Sequence, residues 1–360
     1  MTEQRNETSR AWVEIDLGAL RRNGAAIARH AGVPILPMIK ADAYGLGAVA
    51  TARALEPLAP WGYGVATNEE GRALRDAGIA RPIVVFTPLL PDDFAAARAA
   101  RLTPVLGAPA TIAAWTAAGG GAWHLGIDTG MSRAGVRWDR AAGIADLVRA
   151  HPPEGACTHF HSAHDEAAAH LQRERFATAV AALPTRPALL HAENGPAVER
   201  LAARSAFDLV RPGIFLYGVD SAARLTAAPV VAVRARVVEL RDVAAGESVS
   251  YEATWRADRS RVVATLAIGY ADGYRRALSS VGEVLLAGAP RPVVGLVTMD
   301  MTMIDVTGSR CIPGDVATLV GPAGDDCLTV AGVAARGGLS PYELLTGLRA
   351  RLPRVYLGPA

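Results

Sequence analysis

The sequence is nearly devoid of lysine, because 36 of its 37 cationic residues are arginine and Lys40 alone is lysine. Its three cysteines are widely spaced and odd in number, which favours reduced thiols over a disulfide framework. No apolar run approaches the ~20 residues that a membrane helix needs, and the N-terminus has no apolar signal core. We therefore expect a cytoplasmic protein that makes no contact with a membrane.

The sequence also has no large excess of positive or negative charge. Charged residues make up 20% of the chain, apolar residues 51%, and the formal net charge is +2. This composition is typical of a globular protein, and no basic run suggests an arm that binds nucleic acid. A chain of 360 residues is too long for one ordinary core, so we expect two domains and no nucleic-acid partner.

Up to about residue 220, short apolar runs alternate with amphipathic stretches. VPILPMIKA, RPIVVFT and AWHLGID are examples of the runs, and PDDFAAARAARL is an example of the stretches. Strand cores separated by helical patterns of about 10–15 residues predict a parallel sheet. About eight such units fit a TIM barrel better than an open, doubly wound sheet, which stays as the structural alternative.

Beyond about residue 225 the sequence is rich in valine, alternates in polarity and contains glycine and proline turns, as antiparallel strands do. We predict an α/β protein with an N-terminal (β/α)8 TIM barrel over residues 12–225. A C-terminal, mostly antiparallel β domain follows over residues 226–360. The first strand, about residues 10–15, is a candidate to pair with the β domain.

Lys40 ends the first strong strand and is followed at once by ADAYGLG. In a TIM barrel the functional side chains lie at the carboxyl ends of the strands. An isolated lysine is ordinarily a solvated or paired charge, but a primary amine can also form a Schiff base, which arginine cannot. Its retention in a chain otherwise without lysine favours an amine that binds a carbonyl compound, above all pyridoxal phosphate.

The segment IKADAYGLG resembles the pyridoxal-phosphate signature of the alanine racemases, and the likeness continues in order over nearly the whole chain. The other matching segments include AWVEIDLGALRRN, DTGMSRAGV, HAEN, LVRPGIFLYG, GESVSYEATW, IGYADGY and VTMDMTMIDV. The resemblance implies an isomerase that depends on pyridoxal 5'-phosphate and interconverts L- and D-alanine for D-alanine biosynthesis. It also implies a homodimer whose active sites are shared between the subunits.

The resemblance further implies a two-base mechanism, with Lys40 and Tyr251 as the catalytic groups on opposite faces of the cofactor-bound substrate. A phenol, whose ordinary pKa is about 10, needs nearby positive charge or hydrogen bonds to act as a base. The implied cofactor-binding residues are Lys40, Tyr44, His159, His191, Asn194, Gly195, Arg211, Gly213, Ile214 and Tyr342. The implied substrate-binding residues are Arg133, Tyr270 and Met299, and no metal is expected.

Within this set, Arg211 would face the pyridine nitrogen and His191 would orient it. A permanently charged guanidinium leaves that nitrogen unprotonated, whereas an acidic partner would protonate it. His159 would pack near the ring and lower the proton affinity of the tyrosine. A zinc site of His159, His161 and His164 is disfavoured because no fourth ligand of clear spacing follows.

Three positions depart from the family pattern. Leu46 stands where a histidine is usual, Gly126 where many members carry a carbamylated lysine that orients the arginine, and Gly195 where a serine usually bonds the phosphate. These departures leave serine racemisation or broad-specificity amino-acid racemisation open as alternatives. The alternative of another class is a homologue that binds pyridoxal phosphate without turnover.

Overall fold

The computed structural model describes residues 9–221 and 223–358. Most of the polar N-terminal segment, on which the expectation of no signal core rests, and the last two residues of the predicted β domain lie outside these ranges. Across the described ranges, we find no helix with the length and apolar character that a membrane span requires.

The strands are β1 Ala11–Asp16, β2 Tyr63–Val65, β3 Ile83–Val85, β4 Thr103–Leu106, β5 His124–Asp128, β6 Val136–Arg137, β7 Gly155–Cys157, β8 Leu189–His191, β9 Val231–Val243, β10 Ser248–Val249, β11 Trp255–Arg256, β12 Arg261–Leu266, β13 Glu283–Leu286, β14 Ala289–Pro292, β15 Thr302–Asp305, β16 Val316–Ala323, β17 Asp326–Leu328 and β18 Arg354–Leu357. The helices are α1 Leu17–Ala31, α2 Lys40–Gly45, α3 Ala48–Leu55, α4 Asn68–Asp76, α5 Phe94–Ala99, α6 Pro109–Ala117, α7 Ala145–Ala150, α8 Glu166–Ala181, α9 Gly195–Glu199, α10 Val330–Arg336 and α11 Pro341–Thr346.

The N-terminal half is a parallel barrel. Six strands pair side by side in the order β2-β3-β4-β5-β7-β8, each parallel to the next. Two extended stretches, 35–38 and 210–211, complete the ring through isolated parallel bridges. These bridges are Ile35–Val210, Met38–Gly64 and Asn194–Arg211.

The run VPILPMIKA, predicted as a buried strand, contains one of these two extended stretches. It pairs only through isolated bridges. Pro34 and Pro37 lie within the run and have no amide hydrogen to donate to a neighbouring strand, which explains the interrupted pairing. Leu36 and Met38 do have amide hydrogens, and they donate 2.8 Å hydrogen bonds to Val210 O and Pro212 O of the neighbouring stretch.

The C-terminal half is built around β9, the longest strand. It pairs antiparallel with β1, β12 and β16. The first strand of the chain, β1, thus lies in the C-terminal sheet, where it also pairs parallel with β18. Asp16, the last residue of β1, caps α1 by accepting a 2.8 Å hydrogen bond from Ala19 N, so the chain turns from this sheet directly into the barrel.

The predicted fold class, a parallel barrel with helices followed by a mostly antiparallel β domain, is confirmed. One continuous apolar core runs through both halves. The predicted boundary between residues 225 and 226 stays a prediction.

Candidate active site

A cavity of about 360 Å³ opens at the carboxyl ends of the barrel strands and joins a second one of about 220 Å³. The two cavities share five lining residues, namely Lys40, Phe86, Arg133, His159 and Arg211. This edge of a parallel barrel is where binding and catalytic groups collect. Ten of the residues predicted from the sequence line the joined cavity: Lys40, Tyr44, Arg133, His159, Asn194, Gly195, Arg211, Gly213, Ile214 and Tyr342.

Lys40 begins α2, and the four residues after it adopt an unusual backbone. From Ala41 to Tyr44, φ lies between +52° and +58° and ψ between +34° and +50°, which makes one turn of left-handed helix. Such a conformation costs L-residues about 1–2 kcal/mol each, so neighbouring groups must hold it. The turn directs Tyr44, which is buried, toward the second cavity.

Groups from both halves of the molecule hold this turn at its two ends. Glu70 of α4 accepts a 2.7 Å hydrogen bond from Ala41 N at the start of the turn. At its end, the Arg354 guanidinium of β18 donates to Gly45 O at 2.8 Å. Tyr356 of the same strand donates to Leu46 O at 3.1 Å.

The Lys40 amine lies among cations. Burial and the nearby Arg133 lower its pKa, and Glu70 opposes them by raising it. A lowered pKa increases the share of neutral amine, which is the form that attacks a carbonyl carbon. Lys40 is therefore suited to covalent attachment of an aldehyde.

Arg211 is 3% exposed and is held almost entirely by backbone carbonyls. Its guanidinium donates to His191 O at 2.6 Å, Thr158 O at 2.6 Å and Ala192 O at 3.1 Å. It also lies 5.6 Å from the centre of the Phe86 ring, within cation–π distance. These contacts fix a charged, planar donor at the floor of the cavity.

His191 and His124 extend this network away from the cavity. Because Arg211 can only donate, His191 Nδ1 accepts its 2.9 Å hydrogen bond, and His191 Nε2 then carries the proton that it shares with His124 Nδ1 at 2.8 Å. Burial and Arg211 lower the pKa of His191 well below its ordinary value and that of His124 to about 3. Both rings are neutral supports for the guanidinium.

His159 lies on the other side of Arg211, with its Nδ1 3.5 Å from the guanidinium. Burial, followed by the charges of Arg211, Arg133 and Lys40, lowers its pKa to about 3. The ring is therefore neutral at physiological pH, and it adds no charge to a site that already holds three cations.

The second cavity has the features of a phosphate site. Three buried backbone amides, those of Gly195, Gly213 and Ile214, line it, and in the described part of the chain none of them donates a hydrogen bond to a protein group. A Cβ on Gly213 would lie 2.5 Å from the Tyr44 hydroxyl, so any larger residue there would displace that hydroxyl. Amides and hydroxyls converging on one point bind an oxyanion well.

Two departures from the family pattern have structural explanations. Leu46 is fully buried in the core and does not line either cavity, so its side chain acts in packing. Gly126 faces the first cavity, where a Cβ would lie 3.1 Å from Val105 Cγ1. Arg133, which a carbamate would orient, makes no hydrogen bond or ion pair with any residue that the structure describes, and its guanidinium is free to take a ligand.

Tyr251, Tyr270 and Met299 are not brought into the cavity of their own chain. They lie on the C-terminal half with exposed fractions of 70%, 39% and 53%. This separation agrees with the expectation that these residues act in the site of another subunit, and their roles stay predictions.

Sequence reasoning missed His124, Glu70 and Phe86. Alternation along β5 could have revealed His124, because it lies two residues before Gly126 and therefore on the same face of the strand. No sequence pattern indicated a role for Glu70, since it bonds to the left-handed turn and the sequence does not predict that turn.

A parallel barrel joined to an antiparallel domain, with a reactive lysine and an oxyanion pocket at the barrel mouth, defines a two-domain barrel enzyme that acts on small molecules. Within this class, the chain belongs to the alanine racemase family. The sequence profile of the alanine racemase N-terminal domain matches residues 15–221, and that of the C-terminal domain matches residues 230–356.

Individual relatives agree over their full length. The alanine racemase of Deinococcus deserti is 40% identical, over 96% of this chain and 99% of its own. The crystal structure of alanine racemase from E. faecalis superposes with a TM-score of 0.92 at 26% identity and covers 99% of this chain and 100% of its own. That from Bartonella henselae, solved with covalently bound pyridoxal phosphate, has a TM-score of 0.89 at 28% identity, covering 97% and 100%.

Proposed function

We propose that this chain is a pyridoxal-phosphate-dependent amino-acid racemase that interconverts L- and D-alanine. The observation that carries the proposal is the meeting of the only lysine of the chain with Arg133, Arg211 and three unpartnered amides in one cavity. Membership of the alanine racemase family supports it.

The residues of the cavity fit pyridoxal phosphate. When bound through its aldehyde to the Lys40 amine, the cofactor supplies an electron-withdrawing ring that acidifies the α-carbon of the substrate. The amides of Gly195, Gly213 and Ile214 with the hydroxyls of Tyr44 and Tyr342 would hold its phosphate. Asn194, which caps α9 by accepting from Ala197 N, would keep the first of these amides in place.

Arg211 would face the ring nitrogen. Its guanidinium is fixed by three carbonyls and by His191, and it cannot give up a proton at physiological pH. It therefore offers hydrogen bonds without protonating its partner, which limits the spread of negative charge into the ring. The neutral His159 would pack beside the ring and leave the charge balance unchanged.

Proton transfer at the substrate needs two groups on opposite faces. The Lys40 amine, with its lowered pKa, can accept a proton on one face. Tyr251 would serve the other face from the second subunit, since it is exposed and lies outside the cavity of its own chain. We therefore propose a homodimer with two shared active sites.

The substrate carboxylate would bind the free guanidinium of Arg133 and the backbone amide of Met299 from the second subunit. Tyr270, exposed on the same half of the chain as Met299, would narrow the entrance. We also propose that the barrel and the β domain divide between residues 225 and 226, and that the enzyme acts in the cytoplasm.

Isotope exchange with a panel of amino acids tests the proposal. Purified protein with added pyridoxal phosphate is incubated in deuterated water with L-alanine, L-serine or a longer L-amino acid, and loss of the α-proton is followed by NMR together with optical rotation. We expect exchange with racemisation, fastest for alanine. A higher kcat/KM for serine or the longer amino acid would overturn the choice of alanine, and no exchange with any of them would overturn the racemase proposal.

A further inference from the structure

We propose that Glu70 is a positioning residue that holds the left-handed turn Ala41–Tyr44 and thereby aligns Lys40 and Tyr44 with the cofactor. The inference rests on the proposed attachment of pyridoxal phosphate to Lys40. It assigns a role to a residue that the sequence did not single out.

The Glu70 carboxylate bridges two separate backbone segments. One oxygen accepts a 2.7 Å hydrogen bond from Ala41 N, and the other accepts a 2.7 Å hydrogen bond from Ala66 N, just after β2. Bonds to an ionised carboxylate are short and stronger than those between neutral groups. The carboxylate thus ties the first peptide after Lys40 to the end of a barrel strand.

The start of α4 also shows that the Glu70 side chain bonds to groups outside its own helix. Thr67 caps α4 and accepts a hydrogen bond from Glu70 N, so Glu70 occupies the position that the glutamate of a capping box would take. In that motif the glutamate usually bonds back to the amide of the cap residue. Here its oxygens instead bind the amides of Ala66 and Ala41, so Glu70 serves the turn rather than its own helix.

The turn needs such an anchor because four consecutive L-residues have positive φ. Ala41 has an exposed side chain, so no packing holds its conformation. The turn begins at the proposed attachment lysine and ends at Tyr44, whose hydroxyl lies at the proposed phosphate site. A shift of the turn would therefore move two contacts to the cofactor together.

Glu70 also acts on Lys40 through its charge. The charged and titratable groups around the amine are Arg133 from the loop after β5, His159 from the segment after β7, Arg211 from the extended stretch 210–211, Tyr44 from the turn and Glu70 from α4. Among these, Glu70 alone raises the pKa of Lys40. Removing its charge should lower that pKa and move the pH midpoint of cofactor capture toward acid.

The chain offers a matched control and a rescue. Glu70→Gln removes the charge and leaves one oxygen for two amides. Glu69→Gln removes the same charge from the neighbouring residue of α4, whose side chain is exposed and does not contact the turn. Ala41→Gly should relieve strain in the turn, because glycine adopts positive φ without a steric cost.

The measurement is the Kd of the full-length protein for pyridoxal phosphate, with its pH profile and the Tm of each variant. For Glu70→Gln we expect a Kd about tenfold to 100-fold higher, because one or two charge-assisted hydrogen bonds are lost. Its pH midpoint should move to lower pH, Glu69→Gln should match wild type, and adding Ala41→Gly to Glu70→Gln should restore part of the lost affinity.

A Kd within twofold of wild type and an unmoved midpoint for Glu70→Gln would overturn the inference, as would an equal loss in Glu69→Gln or a failed rescue. If Glu70→Gln does not fold, Glu70→Asp takes its place. Its shorter side chain keeps the charge but cannot reach both amides, so the Kd should rise with the midpoint unmoved, and an unchanged Kd would overturn the inference. Wild-type protein that captures no cofactor would instead overturn the proposed function.

Discussion

At the residue scale, the site depends on side chains whose protonation is set by burial beside a fixed cation. Arg211 is charged and buried, and His159, His191 and His124 around it are neutral, with lowered pKa values. A histidine that folding holds neutral binds fewer protons than it does in the unfolded chain, and this difference makes stability depend on pH.

His159 provides the first prediction. Its pKa is about 3 in the folded protein and about 6.5 when unfolded, so between these values the unfolded state binds more protons. The stability that neutral His159 contributes is present above pH 6.5 and is lost as the pH falls toward 3. In urea titrations at a series of pH values, the free energy of unfolding of His159→Gln should fall less steeply with decreasing pH than that of wild type, by up to about 1.4 kcal/mol per pH unit. A slope as steep as that of wild type, or equal flattening by the exposed control His164→Gln, would contradict this assignment.

Gly213 provides a second prediction, which concerns the steric effect of adding a side chain beside Tyr44. A Cβ at this position would lie 2.5 Å from the Tyr44 hydroxyl, and overpacking costs about 1–3 kcal/mol. Gly213→Ala should therefore raise the Kd for pyridoxal phosphate about tenfold or more. Gly143→Ala is the control, because a Cβ there would meet no atom within 4 Å. Equal affinities for the two variants would show that Gly213 is not close to the cofactor.

At the element scale, the left-handed turn of α2 is held by β18 from the other half of the molecule. The Arg354 side chain donates to four backbone carbonyls, those of Gly45, Leu348, Arg349 and Leu352. A lysine could not make this fork of bonds. The contact ties the end of the left-handed turn to β18 of the C-terminal sheet.

Arg354→Ala should leave these carbonyls without their donor and lower the free energy of unfolding by about 2–4 kcal/mol. Chemical denaturation would measure this change. Arg149→Ala, which removes an exposed ion pair with Asp146, should change stability by less than about 1 kcal/mol. A loss no larger for Arg354→Ala than for Arg149→Ala would contradict this structural role of Arg354.

The elements also show what the sequence could reveal. Alternating apolar and amphipathic stretches predicted the barrel, because parallel strands buried on both faces leave a clear pattern. The run VPILPMIKA, predicted as a buried strand, is extended and pairs in parallel, and its two prolines limit that pairing to isolated bridges. The left-handed turn could not be predicted, since ADAY contains no glycine or asparagine and the groups that bond to its two ends, Glu70 and Arg354, are distant in sequence.

At the scale of the whole molecule, one copy of the chain does not bring all the residues of the proposed site together. Lys40 lines the cavity, whereas Tyr251 lies exposed on the C-terminal half. The resemblance of the sequence to the alanine racemases predicted this division, and no pattern within the chain could have done so. In the proposed homodimer, a second copy of the chain would complete each site.

Subunit mixing tests this division. Lys40→Ala and Tyr251→Phe homodimers should each be nearly inactive, but a mixed dimer carries one intact site. After co-refolding of equal amounts, alanine racemisation should recover to about a quarter of the wild-type rate, because half of the dimers are mixed and each has one of two sites. Absence of recovery, with mixed dimers verified by mass spectrometry, would mean that both residues act within one chain.

The most direct test of the two-base account is the exchange of the α-proton of each alanine enantiomer in deuterated water, with Tyr251→Phe compared to wild type. The resemblance to the alanine racemases implies that Lys40 serves the D-face and Tyr251 the L-face of the bound substrate. The account predicts that Tyr251→Phe nearly abolishes exchange from L-alanine while exchange from D-alanine persists. Equal, slight effects on both enantiomers would contradict it and remove Tyr251 from the mechanism.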